Sequence, residues 1–280
     1  MSHREIILYL LTVGFEILLC VLVYVRNLQR RLPFFTIHST LLLMSTISVA
    51  LVYHRFGFRS AESYYAYWVT AGLIIIARGF ATAELCRYEF RAYRGVWALA
   101  WRILALLAVV FLGHGAVDAW GQLDRLAIYG LTIERDVEIS SVVILLAMLL
   151  IGRYYRLTLE PLHKWISVGI CLVCFTDIVN NTVLRNAFNG HLSSWFHLAS
   201  AFSWPEIRSQ VERANDLWNM IRTSGLIVSM SIWCYALRKP LPAPAKEPVL
   251  LPAEVYREFS PAVNLRLRAF NDRLIEMLKS

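Results

Sequence analysis

The chain has 280 residues, of which 58% are hydrophobic and 17% are charged. Ordinary soluble domains carry roughly 25% charged residues, and a soluble fold of this size has no single core large enough to hide so much apolar surface. The net charge of +8 does not indicate nucleic-acid binding, because the basic residues flank apolar runs and form no separate basic domain. Composition therefore predicts an integral membrane protein.

Seven apolar stretches follow one another along the chain, each close to the length of a membrane-crossing helix. A hydrocarbon core of about 30 Å requires roughly 20 apolar helical residues. Lipid admits only helices and closed barrels, and these stretches lack the alternation of barrel strands. We predict an all-α fold, a polytopic seven-transmembrane-helix bundle over residues 1–238. Its spans are Ile6–Val25, Phe34–Tyr53, Tyr64–Ala83, Trp97–Val117, Val137–Gly152, Trp165–Leu184 and Leu217–Leu237.

The distribution of Lys and Arg predicts the orientation of the bundle. The loops that follow the odd-numbered spans, together with the segment after the seventh, carry more basic residues than the longer loops on the other side. Basic loops stay on the cytoplasmic side of a membrane. We expect a multi-pass protein of the cell (plasma or inner) membrane, with its N-terminus outside and its C-terminus in the cytoplasm. The stretch Ile6–Val25 is not followed by the small residues of a signal-peptide cleavage site, so we interpret it as the first span.

The longest outer segment, 185–216, is predicted to contain a helical extension of the seventh span. The run Ser203–Glu206 is a capping box with a proline in the first turn. The apolar positions after it repeat at helical spacing into the seventh span. We expect one long helix from Trp204 to Leu237, and a short interfacial helix before it at Leu192–Phe202.

The segment after the bundle divides into a linker and a helix. Residues 239–259 are proline-rich and predict an extended cytoplasmic spacer. Residues 260–280 predict an amphipathic cytoplasmic helix with a narrow apolar stripe. Three placements remain open for this helix: against the bundle itself, on the anionic inner leaflet, or paired with a protein partner or a second copy.

Ionisable residues inside the spans are the most informative functional signal, because charge is costly in hydrocarbon. Glu16 in the first span and Arg78 in the third differ in depth by only a few ångströms at 1.5 Å per residue. We predict that Glu16 and Arg78 form an intramembrane ion pair. The pair fixes helix packing in one interpretation and couples an ion or a substrate in the other.

A second group of polar residues lies in the outer halves of the spans. Asp177 and Arg222 are expected to meet if the sixth and seventh helices are neighbours. The group predicts a polar ligand-binding cavity that opens outward, or alternatively a hydrogen-bond network between helices. Its members are Asp177, Asn180, Asn181, Arg222, Asn219, His114 and Asp118.

Motifs for catalysis, cofactors and metals give no positive signal. Cys171 and Cys174 have C-x-x-C spacing, but two cysteines on one apolar helix indicate packing more than a metal or redox site. No catalytic residue, cofactor or metal ligand is therefore assigned, and enzymatic activity is left open with a preference against it.

Two classes of function remain. In the favoured one, the protein is a membrane sensor or scaffold that binds a small molecule or partner through the outer cavity. Residues 260–280 then recruit a partner or self-associate on the inside. The alternative is a small-molecule or ion transporter, or a membrane-embedded enzyme, that uses Glu16, Arg78 and Asp177. The lipid bilayer is a partner in both classes, and nucleic acid in neither.

Overall fold

Regular structure in the described part of the chain is helical throughout. The computed structural model describes residues 3–57, 60–90, 94–120, 125–154, 159–198 and 204–238, with isolated positions at 269, 272–273 and 276–277. Each predicted span lies within one helix, which confirms the all-α fold. The elements are α1 His3–Val25, η1 Leu28–Arg30, α2 Pro33–Phe56, α3 Ala61–Glu89, α4 Arg94–Asp118, α5 Arg125–Tyr154, α6 Pro161–Leu198 and α7 Trp204–Leu237.

Within the described ranges, all seven of these α helices are long and apolar enough to cross a membrane. The largest difference from the predicted spans lies in α5, where the apolar helix runs over Tyr129–Tyr154 and so begins before Val137. Four charged residues between 134 and 138 lower the local hydropathy, so this part of the span was not predicted from the sequence.

The region after the sixth span differs from the prediction, whereas α7 has the predicted bounds. We expected an irregular segment from Arg185, but α6 continues as helix to Leu198. The prediction of a separate interfacial helix at Leu192–Phe202 is wrong over its described part, because residues 192–198 belong to α6. Residues 185–198 contain one glycine and no proline, so nothing in them ends a helix.

Six helices form a closed ring, and the seventh lies outside it. The ring runs α1, α2, α3, α5, α6, α7 and back to α1, with α3 also contacting α6 across the middle. Helix α4 packs mainly on α5, and only 6% of its apolar span is buried, against 50% for α6. Helix α5, although fifth in the chain, therefore takes the ring position next to α3.

The apolar core fills one end of the ring. We call it the η1 end, since η1 joins α1 to α2 there. Its largest fully buried side chain is that of Trp233, which packs edge-on against Phe35 with ring centroids 5.4 Å apart. The Trp233 indole donates a hydrogen bond of 3.1 Å to the Ile166 carbonyl. It also fills the space at Gly169, where any Cβ would overlap the ring.

Side chains from neighbouring helices satisfy two helix ends at the η1 end. The Glu84 carboxylate on α3 accepts from the backbone N–H groups of Phe34 and Phe35 at 3.2 and 3.0 Å, in the first turn of α2. The Arg26 guanidinium donates to the carbonyls of Leu237 and Arg238 at the end of α7. These contacts complement the partial charges of helix termini and fix where α2 begins and α7 ends.

The predicted linker 239–259 lies outside the described residues. In the predicted tail helix, the described positions 269, 272–273 and 276–277 are helical.

Candidate functional site

Arg78 is buried inside the ring and joins three helices. Its Nη1 atom on α3 lies 3.1 Å from Glu138 Oε1 on α5 and 3.5 Å from Asp177 Oδ2 on α6. The same nitrogen lies 3.9 Å from the Cys174 sulfur. All three charged side chains are at most 5% exposed. A guanidinium in such a place is tolerated only because carboxylates surround it.

Arg222 on α7 extends this network toward the end of the bundle opposite η1. Its Nη2 donates a 2.8 Å hydrogen bond to Glu134 Oε1, and its Nε lies 3.6 Å from Asp177 Oδ1. The Tyr67 hydroxyl accepts a further bond of 3.1 Å from Arg222 Nη1. The Arg222 side chain is 28% exposed, whereas that of Glu134 is 4% exposed. Arg222 therefore lies at the accessible edge of the network.

We call these five residues the charged centre: Arg78, Glu134, Glu138, Asp177 and Arg222. They come from α3, α5, α6 and α7, and Asp177 bridges the two guanidiniums. Glu138, Asp177 and Arg222 lie about 16 residues, or roughly 24 Å, from the η1 ends of their helices at 1.5 Å per residue. The centre is therefore well inside the bundle and not at either end.

The sequence of α5 explains how two carboxylates reach one point. Glu134 and Glu138 are separated by four residues and so share a helix face. The same face carries the buried residues Ser141, Leu145 and Met148 farther along α5. The stripe that packs against the ring interior is thus apolar at the η1 end and acidic beyond it.

Two buried atoms of the centre have no hydrogen-bond partner in the structure: Glu138 Oε2 and Arg78 Nε. Most buried polar atoms in proteins are paired. An acceptor and a donor left over at one centre indicate that its hydrogen bonding is completed by something beyond these side chains.

The predicted contact between Asp177 and Arg222 is confirmed, but the predicted pair of Glu16 and Arg78 is wrong. Glu16 on α1 accepts a 3.0 Å hydrogen bond from Thr46 on α2, and Arg78 bonds to α5 and α6 instead. The two residues have similar depths, as expected. In the described helices, however, α1 packs on α2 and α7 and not on α3.

The structure does not bring His114 and Asp118 to the charged centre. His114 Nδ1 lies 2.6 Å from Asp136 Oδ2, and Asp118 accepts a 2.7 Å bond from Thr132. Both contacts join α4 to α5 on the outside of the ring. The sequence correctly placed these two residues toward the end of the bundle opposite η1, but they lie outside the ring and not inside it.

The predicted amides differ in their placement. Asn180 is buried on α6, one turn beyond Asp177, which agrees with a place beside the centre. Asn219 on α7 is exposed. The side chain of Asn181 lies outside the described part of the structure.

Glu134 and Glu138 are the functional candidates that sequence reasoning missed. Glu134 lay before the predicted fifth span, Val137–Gly152, and Glu138 was the second residue of that span, but neither was named as a candidate. Their separation of four residues, in register with the buried stripe of α5, was the signal that placed them on the inner face.

Oxygen atoms from Glu134, Glu138 and Asp177 lie within 4.8 Å of one another, close enough to share one cation. Two guanidiniums already contact all three carboxylates, which leaves few oxygens for the coordination shell of a metal ion. The arrangement favours a small positively charged species that needs few ligands. Comparisons with protein-family models, curated proteins and solved structures found no match to this chain.

Proposed function

We propose that this chain is an integral membrane protein of the sensor type, in which the charged centre is the binding element. One observation supports the proposal most directly. Five ionisable side chains from four helices converge inside a bundle whose helices have membrane-spanning length. Ionisable groups at membrane depth are expensive, and they commonly mark functional sites.

The geometry of α7 supports a route from the centre to the η1 end. Arg222 contacts Glu134 and Asp177, and about 15 residues later α7 ends at Leu237. There Arg26, directly after α1, donates to the carbonyls of Leu237 and Arg238. A change in the ion pairs of Arg222 alters the contacts of a rigid helix that leads directly into residues 239–280. We propose that this segment passes the state of the centre to a protein partner or to a second copy.

The predicted orientation completes the proposal. With the N-terminus outside, the η1 end and residues 239–280 face the cytoplasm of the cell membrane. Arg222, partly exposed, then lies on the outer side of the charged centre. A ligand that enters from outside meets Arg222 before it meets Arg78.

A transporter is the second candidate, and the charge balance of the centre favours it. Three carboxylates oppose two guanidiniums, and such an excess suits a carried cation or proton. Glu16, part of the transporter hypothesis from sequence, instead bonds to Thr46 on the other side of the ring. A transport route therefore has to be assigned to the centre alone.

The two candidates are distinguished with four forms of the protein in its own membrane. These are the full chain, the chain without residues 260–280, the Arg222→Gln variant and an Arg102→Gln control on exposed α4. The readout is cross-linking followed by affinity purification. Under the sensor proposal, the full chain and the Arg102→Gln control are cross-linked to one and the same partner protein, or to a second copy of the chain. The same proposal expects loss of that protein on truncation and an altered yield with Arg222→Gln.

Flux measurements in reconstituted vesicles give the contrary outcome. Proton or sodium flux that Arg222→Gln abolishes and Arg102→Gln retains, together with no cross-linked protein, contradicts the sensor proposal and establishes transport. Absence of both flux and a cross-linked protein contradicts both candidates.

A further inference from the structure

The charged centre carries more negative than positive groups. Glu134, Glu138 and Asp177 oppose Arg78 and Arg222, which leaves a formal charge of −1 if all five are ionised. Four of these side chains are at most 5% exposed. An uncompensated charge in such a place is strongly disfavoured, so one further positive charge is required.

The carboxylate oxygen without a hydrogen-bond partner in the centre can be identified. Both carboxylate oxygens of Asp177 face guanidinium nitrogens, at 3.5 and 3.6 Å. Glu138 has Oε1 within 3.1 Å of Arg78, whereas its buried Oε2 has no hydrogen-bond partner. Of the carboxylate oxygens in the centre, Glu138 Oε2 is the buried one that remains unoccupied.

The groups around Glu138 come from α3, α5 and α6. Helix α3 contributes Arg78, α6 contributes Asp177 and Cys174, and α5 itself contributes Glu134 one turn away. Arg222 of α7 reaches Glu134. Of the ionisable residues of α4, His114 and Asp118 bond to Asp136 and Thr132 on other positions of α5, and Arg102 is exposed. Glu138 is therefore shared between one guanidinium and two carboxylates.

We propose that the charged centre binds one proton, held on Oε2 of Glu138. A proton requires a single free oxygen. A metal ion requires several, and the guanidiniums leave few of them free. Adding H⁺ to Oε2 changes the formal charge of the centre from −1 to zero and turns the unpaired acceptor into a donor. The neighbouring carboxylates lie within 4.8 Å. Like charges at this range repel one another, and a proton on one of the three carboxylates relieves that repulsion.

This inference rests on the proposed function and specifies the ligand of the same site. Release of the proton leaves Arg78 and Arg222 to balance three full negative charges, which changes the ion pairs that join α3, α5, α6 and α7. The binding of H⁺ is thereby linked to helix packing in a sensor, and to cation exchange in a transporter.

Infrared difference spectroscopy of the full chain in lipid vesicles tests the proposal. A protonated carboxylic acid has a carbonyl stretch separate from that of a carboxylate. We expect this band at neutral pH, shifted when the protein contains ¹³C-labelled glutamate and unshifted with ¹³C-labelled aspartate. The Glu138→Gln variant loses one glutamate component, whereas Asp136→Asn on the outer side of α5 retains it. Glu16→Gln separates any contribution from the other buried glutamate.

Isotope labelling of the unchanged protein keeps the test valid if Glu138→Gln does not fold. A band that responds only to labelled aspartate, or one that Glu16→Gln removes completely, overturns the assignment to Glu138. A Glu138 band that sodium or magnesium abolishes at constant pH shows a metal-cation site instead. The band reports the proton directly, so its presence without any cross-linked partner contradicts only the sensor function.

Discussion

The η1 end and the middle of the helix ring are held together by different physical means. At the η1 end, the core consists of large apolar side chains such as Trp233, Phe35 and Leu19. Nearer the middle, the ring encloses two guanidiniums and three carboxylates. An apolar core accepts many arrangements of similar volume, whereas a buried ionic network is satisfied by only a few geometries. The geometry of the charged centre is therefore the more sensitive of the two to the loss of any one side chain.

The comparison of the η1 end with the charged centre also bears on the proposed binding element. Helix ends at the η1 end are fixed by neighbours, through Glu84 and Arg26. Buried atoms without partners also occur near the η1 end, for example on His38 and Ser167, whereas those of the charged centre belong to a single ion pair, Arg78 with Glu138. We propose that a bound species completes this hydrogen bonding, so that the charged centre differs between its bound and unbound forms.

Removing Arg78 is expected to have the largest effect on the bundle. In Arg78→Met, Glu138 and Asp177 lose their shared counter-ion inside the ring. We expect a loss of about 3–5 kcal/mol in the free energy of unfolding, typical of breaking a buried ion pair. Unfolding in mixed detergent micelles measures it, with Arg102→Met on the exposed face of α4 as the control. Equal stability of the two variants shows that the centre does not hold the helices together.

A glycine substitution tests the apolar end at its tightest point. A Cβ at Gly169 overlaps the Trp233 indole, so Gly169→Ala forces the ring or a helix to move. We expect a loss of about 1–3 kcal/mol, the usual cost of overpacking. The matched control is Gly14→Ala, since no heavy atom lies within 4 Å of that position. There alanine raises helix propensity, and stability is expected to rise by up to about 1 kcal/mol. A neutral Gly169→Ala contradicts the close packing of α6 on α7.

The contact between His114 and Asp136 offers a charged pair outside the ring for comparison. The His114 side chain is 46% exposed and lies one turn from the end of α4, so this pair is less enclosed than Arg78 and its carboxylates. We expect His114→Ala to cost less than about 1 kcal/mol, as exposed pairs do. The same unfolding assay measures the cost. A loss as large as that of Arg78→Met removes the distinction between the charged centre and the contacts of α4.

Deletion of residues 260–280 is expected to change the bundle least. The proline-rich segment 239–259 separates this region from α7 in sequence, so we expect a change within about 0.5 kcal/mol. Thermal unfolding of the truncated and full chains measures it. Collapse of the truncated bundle shows that these residues belong to the core and contradicts their role in recruitment.

Sequence reasoning predicted the number and type of helices because hydropathy over about 20 residues depends only on local composition. It predicted the bounds of α7 from a capping box, which is also a local signal. It failed for Glu16 and Arg78, because depth follows from position along a helix whereas neighbour identity follows from the ring order. That order places α2 and α7, and not α3, beside α1.

The charged centre was only partly predictable for a related reason. Asp177 and Arg222 lie on consecutive helices, and such helices are usually adjacent. Glu134 and Glu138 were lost because a window of average hydropathy treats an acidic turn as the end of a span. Burial of that turn depends on Arg78 and Arg222, which are distant in sequence.

The distance between the η1 ends of α3 and α7 tests most directly whether the charged centre sets helix packing. Spin labels are introduced through an unnatural amino acid at the exposed positions Arg87 and Tyr235. Double electron–electron resonance in lipid nanodiscs then compares three proteins: the otherwise unchanged chain, Arg222→Gln and the Arg102→Gln control. We predict a shifted distance distribution for Arg222→Gln and an unchanged one for Arg102→Gln. Three superimposable distributions contradict the role of the centre in controlling the bundle.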